Sequence, residues 1–232
     1  MRQSALALLS LAMLTAPLTA QGFEGTVTVK PNAEIQVPTK WMIKGSMIAM
    51  DGTMPPTSGP MAGNAMHIII DEAALSMTVL VPLSADMSAM MAAMLPPGTK
   101  GLKIVTTLPK GTAGPPMAMP KKLGTTQTIA GMKCDDYEGA GPDGKPTRIC
   151  VTRELGDFVY PSLGGRGGRG GSAPAWVAAL RQIGGFPLKV WSVDGKSDFE
   201  VESVVRGSVP ASAFAVPEGY NAMPGMGGRG GF

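Results

Sequence analysis

The chain has 232 residues with 44% hydrophobic and only 16% charged residues, and a formal net charge of +3. So small a positive excess argues against a nucleic-acid or acidic-surface partner. One histidine and two cysteines leave little material for a metal centre, whereas 32 Gly, 21 Pro and 18 Met are unusually many.

The opening Met-Arg-Gln-Ser-Ala is followed by an apolar run, Leu6 to Leu14, and by Leu18-Thr-Ala20. One positive charge, a short apolar core and a small final residue predict a secretory signal peptide over residues 1–20, cleaved near Ala20. Loss of Arg2 with it leaves a net charge of +3 − 1 = +2. No cysteine follows the apolar core, which argues against a lipid-anchored N-terminus. The run is too short to span a bilayer, and no other stretch is long enough. The expectation is one exported domain over residues 21–220, periplasmic or secreted and monomeric, with a disordered Gly/Met-rich tail at 221–232.

Gly22 to Lys30 alternates apolar and polar residues, the pattern of a strand with one wet face. Lys40–Lys44 and Ser46–Asp51 predict a hairpin turned at Gly45 and ended by Asp51-Gly52. A Pro/Gly/Met loop covers residues 54–63. Ala65–Asp71 and Leu75–Val81 predict the next hairpin. The period then changes. Met87, Met90, Met91 and Met94 follow at i, i+3, i+4 and i+7, one face of a helix that Ser84 can cap and Pro96-Pro97-Gly98 stops. Leu102–Thr107 is a short strand, and residues 109–124 a loop.

Residues 126–137 and 147–152 predict two strands around the turn formers Gly139 to Pro146. Each carries one cysteine. In an oxidising compartment Cys134 and Cys150 favour a structural disulfide stapling the hairpin near its turn. A redox pair would usually be CxxC, and a metal site would need more His or Cys nearby. Arg153–Tyr160 is a short helical turn, residues 164–171 a Gly/Arg run unable to pack a core, and Ala173–Ile183 a helix with Trp176, Val177, Leu180 and Ile183 on one side. Phe186–Val193 and Ser197–Arg206 form a hairpin turned at Asp194-Gly195-Lys196, and residues 210–220 an extended closing segment.

About ten strands in successive hairpins, interrupted by two helices, predict a mainly β (α+β) meander. A long antiparallel sheet must curl or be covered. The predicted fold is a curved, half-open antiparallel barrel with the two short helices on its concave side.

Four segments carry a family resemblance: Gly22–Val27, Thr128–Cys134, Gly185–Val190 and Val209–Tyr220. In this order they resemble the secreted bacterial proteins of domain of unknown function 4412, over most of residues 22–223. The closing segment is also similar to that of periplasmic lipoprotein carriers of the LolA type. That resemblance implies a LolA/LppX-like half-open barrel with helices as a lid. It implies no catalytic residues.

The candidate ligand-binding residues are Met87, Met90, Met91 and Met94 on the first helix and Trp176, Val177 and Leu180 on the second. Flexible, polarizable Met side chains suit an irregular apolar ligand such as a lipid or the acyl chain of a lipoprotein, and equally serve as core filler. Two other readings stand beside this one: a structural or interaction module of the cell envelope, and Cu(I) binding through thioethers near His67. His67 lies in an apolar strand, and no GxSxG, HExxH or phosphate-binding loop is present. Asp135 and Asp136 alternate across a strand and are poor partners for each other. Arg166, Arg169 and Arg229 resemble RGG segments, but the low net charge points to solvated linkers. The expectation is a non-enzymatic protein with no cofactor and no resident metal.

Overall fold

The computed structural model describes residues 22–31, 39–54, 61–108, 119–141, 145–158 and 174–222. The predicted signal peptide, most of the Pro/Met/Gly loop, the Gly/Arg run and the tail beyond Ala222 lie outside these residues.

The first half of the sheet is a meander of six strands. They are β1 (Glu24–Val29), β2 (Thr39–Lys44), β3 (Met47–Thr53), β4 (Ala65–Asp71), β5 (Ser76–Pro82) and β6 (Gly101–Thr107). Each neighbouring pair is antiparallel, and the register from β1 to β6 runs without a shift. Side chains directly opposite one another share a face. The register therefore gathers Val27, Trp41, Met50, Ile68 and Val79 on one face, where all are buried. Gly45 supplies the positive φ of +59° that the tight β2–β3 turn requires.

The second half follows as β7 (Lys121–Ile129), β8 (Met132–Ala140), β9 (Pro146–Thr152), β10 (Phe186–Ser192) and β11 (Ser197–Arg206). Strand β11 returns beside β1, and β12 (Tyr220–Ala222) pairs parallel to β6. The result is one 12-stranded sheet in the order β12-β6-β5-β4-β3-β2-β1-β11-β10-β9-β8-β7. Mainly β with two helices agrees with expectation, but the sheet has twelve strands, not ten, and does not close into a barrel.

The extra strands have local causes. Residues 126–137 read as one strand, but Ala130 (φ +51°) and Gly131 (φ +78°) reverse the chain and divide it into β7 and β8. Lys121 to Gly124, read as loop, begins β7. Tyr220–Ala222 adds the short parallel strand. Residues 153–155 form a turn rather than a helix, with Leu155 and Phe158 buried.

Cys134 and Cys150 form a disulfide with their Cα atoms 5.3 Å apart. Cys150 stands opposite Asp136, so the bridge joins diagonal neighbours on β8 and β9. It lies well along the strands from the Gly141–Lys145 connection, not near that turn as expected, because pairing already closes at Ala140 and Pro146.

Helix α2 (Ala175–Ile183) packs on β8, β9 and β10. A side chain at Gly139 would press on Ala179 at 3.1 Å, so the glycine lets the helix approach.

Candidate functional site

The predicted ligand layer lies between the sheet and its two helices. Helix α1 (Ala85–Met91) starts where Ser84 Oγ accepts a hydrogen bond from the Met87 amide at 3.2 Å. Met87 and Met91 are buried in the core, whereas Met90 and Met94 are about three-fifths exposed (58% and 60%). The four thioethers therefore do not share one face. At about 100° per residue, Met87 and Met91 lie about 40° apart and Met90 about 60° to the other side of Met87. The helix ends at Met91, so Met94 belongs to the following turn. Asn64 Nδ2 donates to Met87 Sδ at 2.8 Å, tying α1 to the start of β4.

On α2, Trp176, Val177 and Leu180 are each at most 3% exposed. They join a ring cluster with Trp41, Phe158, Phe186 and Phe199, in which Trp41 stacks on Phe158 at 5.5 Å and Phe158 meets Trp176 at 5.7 Å. Met87, Met91 and the three α2 residues belong to one connected core. Its one orphan is Trp41 Nε1, a buried donor with no acceptor among the described residues. Such donors are rare, because leaving one unmade costs about 1–3 kcal/mol.

The opposite face of the sheet carries a second feature. Between β11 and β12 the chain crosses the outside of β1 to β5, since β11 lies beside β1 and β12 beyond β6. The Val209 amide donates to Glu24 Oε1 at 2.8 Å, a 3-10 turn at Ala211–Phe214 touches β3, and the Lys100 amide donates to the Gly219 carbonyl at 2.8 Å. Tyr220 then lies over Gly101, where a Cβ would meet its ring at 2.3 Å. Under this crossing, Ala49, Ile69 and Leu80 are buried on the outer face. A shallow groove of about 390 Å³ remains, walled by Asp51, His67, Leu80 and Pro82 on the sheet and by Pro217 and Tyr220 on the crossing chain.

In that groove His67 Nδ1 lies 2.7 Å from Asp51 Oδ1, and Nε2 lies 2.8 Å from the Ala213 carbonyl oxygen. Ser212 also lines the groove. The three do not form a nucleophilic triad, because the Nε2 that would take a hydroxyl proton is engaged with a carbonyl. Asp51-Gly52 does not end its strand as expected: β3 continues to Thr53, and this extension sets Asp51 opposite His67.

Several other carboxylates have structural partners. Asp135 accepts from Lys122 Nζ at 2.7 Å, and the buried Asp136 accepts from Thr125 and Gln127. Glu72 is pushed up to about 7 by burial first, then by the nearby negative charges of Asp157 and Asp71. Among the described residues no group of three or more His, Cys, Asp or Glu side chains is placed to hold a metal ion, and no helix is long and apolar enough to cross a membrane.

Residues 23–220 match the family described as Domain of unknown function (DUF4412), and the chain belongs to that family. None of the curated proteins compared matches it. Among solved structures it is similar to one titled "Structure of PNGF-II in C2 space group", at 14% identity and a TM-score of 0.46. That likeness covers 88% of this chain but only 30% of the length of the other.

Proposed function

We propose that the chain is an exported, non-enzymatic binder or carrier of an acyl-bearing apolar ligand, held between the sheet and its two helices in a curled, half-open, LolA-like arrangement. The observation that carries this reading is the orphaned Trp41 Nε1 inside the apolar layer. A lipid ester or an acylated lipoprotein terminus presents carbonyl acceptors beside methylene chains. It would meet the unpaired donor and gain about 0.8 kcal/mol per buried methylene. A twelve-stranded sheet whose core runs unbroken from Leu102 on β6 to Cys134 on β8 favours curling around such a ligand. Entry requires a helix to move, and α1, with its seven residues, is the smaller lid.

The test is native mass spectrometry of the mature protein purified without detergent, followed by organic extraction. The expected result is a co-purifying acyl lipid, retained less by a Trp41→Phe variant that keeps its fold. A bare mass, or a co-purifying lipid retained equally by Trp41→Phe, overturns the reading. The second reading, an interaction module of the envelope, is favoured by the packed rings around α2, and it expects the bare mass.

A further inference from the structure

The methionines divide sharply by exposure. Met50, Met77, Met87, Met91 and Met132 are buried, whereas Met90, Met94 and Met119 are exposed, at 58%, 60% and 77%. The division runs through one short stretch. Helix α1 and the turn after it hold Met87 and Met91 in the core and leave Met90 and Met94 in solvent. None of the three exposed thioethers packs against the core. Each presents an accessible sulfur lone pair, the group that peroxides convert to a sulfoxide.

Met87 is guarded by more than burial. The Met54 amide donates to the Asn64 carbonyl at 2.8 Å, and the Asn64 amide donates to the Met61 carbonyl at 3.2 Å, so both backbone groups of Asn64 are fixed. From that position Asn64 Nδ2 donates to Met87 Sδ at 2.8 Å. A thioether sulfur is a weak acceptor, and a lone pair so engaged is less available to an oxidant. Met91 is 8% exposed and, among the described residues, is screened by burial alone. The two tiers differ in what oxidation does. A sulfoxide at Met90, Met94 or Met119 is hydrated where it forms. At Met87 it would set a polar oxygen in the apolar core, where no partner meets it.

We propose that Met90, Met94 and Met119 are oxygen-accepting modification sites, and that the chain is a stoichiometric scavenger of peroxides whose fold is spared because burial and Asn64 keep Met87 out of the reaction. The thioether sulfur attacks one oxygen of hydrogen peroxide. The S–O bond forms as the O–O bond breaks, sulfur gives up two electrons, and the second oxygen leaves as water: R2S + H2O2 gives R2SO + H2O. This role is separate from the acyl-ligand reading and needs no ligand between sheet and helices.

The test adds hydrogen peroxide to the whole mature protein. Sulfoxide at each methionine is followed by peptide mass mapping, and packing by near-UV circular dichroism. Met90, Met94 and Met119 should oxidise at least about tenfold faster than Met87, whose sulfur reacts only from a locally opened state. The near-UV signal should hold through that first phase. Met87 oxidising as fast as Met90, or loss of the near-UV signal while only the three exposed residues are oxidised, overturns the proposal. Asn64→Ala should speed oxidation of Met87 relative to Met91 by about fivefold, the worth of one ordinary hydrogen bond. Equal gains at Met87 and Met91 would mean a loosened helix and would overturn the part given to Asn64. The unsubstituted protein gives a second measure of that part: Met87 should lag Met91, and Met87 oxidising first overturns it.

Discussion

Reducing the Cys134–Cys150 disulfide, or replacing both cysteines with alanine, should remove a large share of the domain's stability. The bridge closes a loop of sequence separation 16. The chain-entropy relation gives about 3 kcal/mol for a loop of that size. Natural domains are stable by only about 5–15 kcal/mol, so the cross-link is a substantial fraction. In a domain of this size about 3 kcal/mol corresponds to roughly 6–12 °C in Tm. Both cysteines are buried, at 3% and 0% exposure, so alanine also leaves a small void and should cost somewhat more than reduction. Urea unfolding of the oxidised protein, the reduced protein and the double variant separates the two contributions. The reduced chain should unfold at lower urea with a steeper slope, since its unfolded state is freed from the loop. A loss under about 1 kcal/mol would refute the loop-closure argument. The same measurement bears on compartment, because a protein that depends on this bridge is poorly suited to a reducing cytosol.

Three further substitutions follow from burial and charge. The folded state holds Glu72 protonated up to about pH 7, above the ordinary value of 4.5, so it binds more protons than the unfolded chain between these limits. Stability should therefore fall as pH rises through that window. Glu72→Gln should stabilise by about 1 kcal/mol at pH 8, after discounting for solvent at this partly exposed side chain, and change little at pH 4. Equal effects at both pH values would refute this. Met87→Ala should cost about 2–4 kcal/mol in chemical denaturation, because Met87 is 4% exposed. Met90→Ala should stay within about 0.5 kcal/mol, and a loss at Met90 matching that at Met87 would contradict the assignment of buried and exposed thioethers.

Strands with strict alternation and a clear turn were legible in the residues. Glu24–Val29 and Thr39–Lys44 fall where their patterns place them, because each buries one face and a shift of one residue would turn that face to water, while Ala65–Asp71 follows its apolar run, with Ile68, Ile69 and Ile70 all buried. Thr126–Tyr137 misled because Ala130 carries no turn signal of its own. Its positive φ is imposed by a two-residue turn completed by Gly131, across which the apolar positions switch from odd, at Ile129, to even, at Met132 and Cys134. The methionine series misled differently. Periodicity gives a face only while the helix lasts, and α1 stops at Met91 before the series ends.

The groove around His67 was hidden for a topological reason. Asp51 and His67 are 16 residues apart and meet only through the β3–β4 register, while Ala213 lies 146 residues beyond His67. Local pattern carries no information on that crossing, which follows from β11 lying beside β1 while β12 pairs with β6. A signal was nevertheless present. His67 is polar in the otherwise apolar run Met66 to Ile70, and Asp51 follows Met47-Ile48-Ala49-Met50. Two polar interruptions at partnered positions of one hairpin, on a face where Ala49 and Ile69 are apolar, imply that something polar comes down over them. The chain meets that demand with a backbone carbonyl rather than a side chain, which is why no motif announced it.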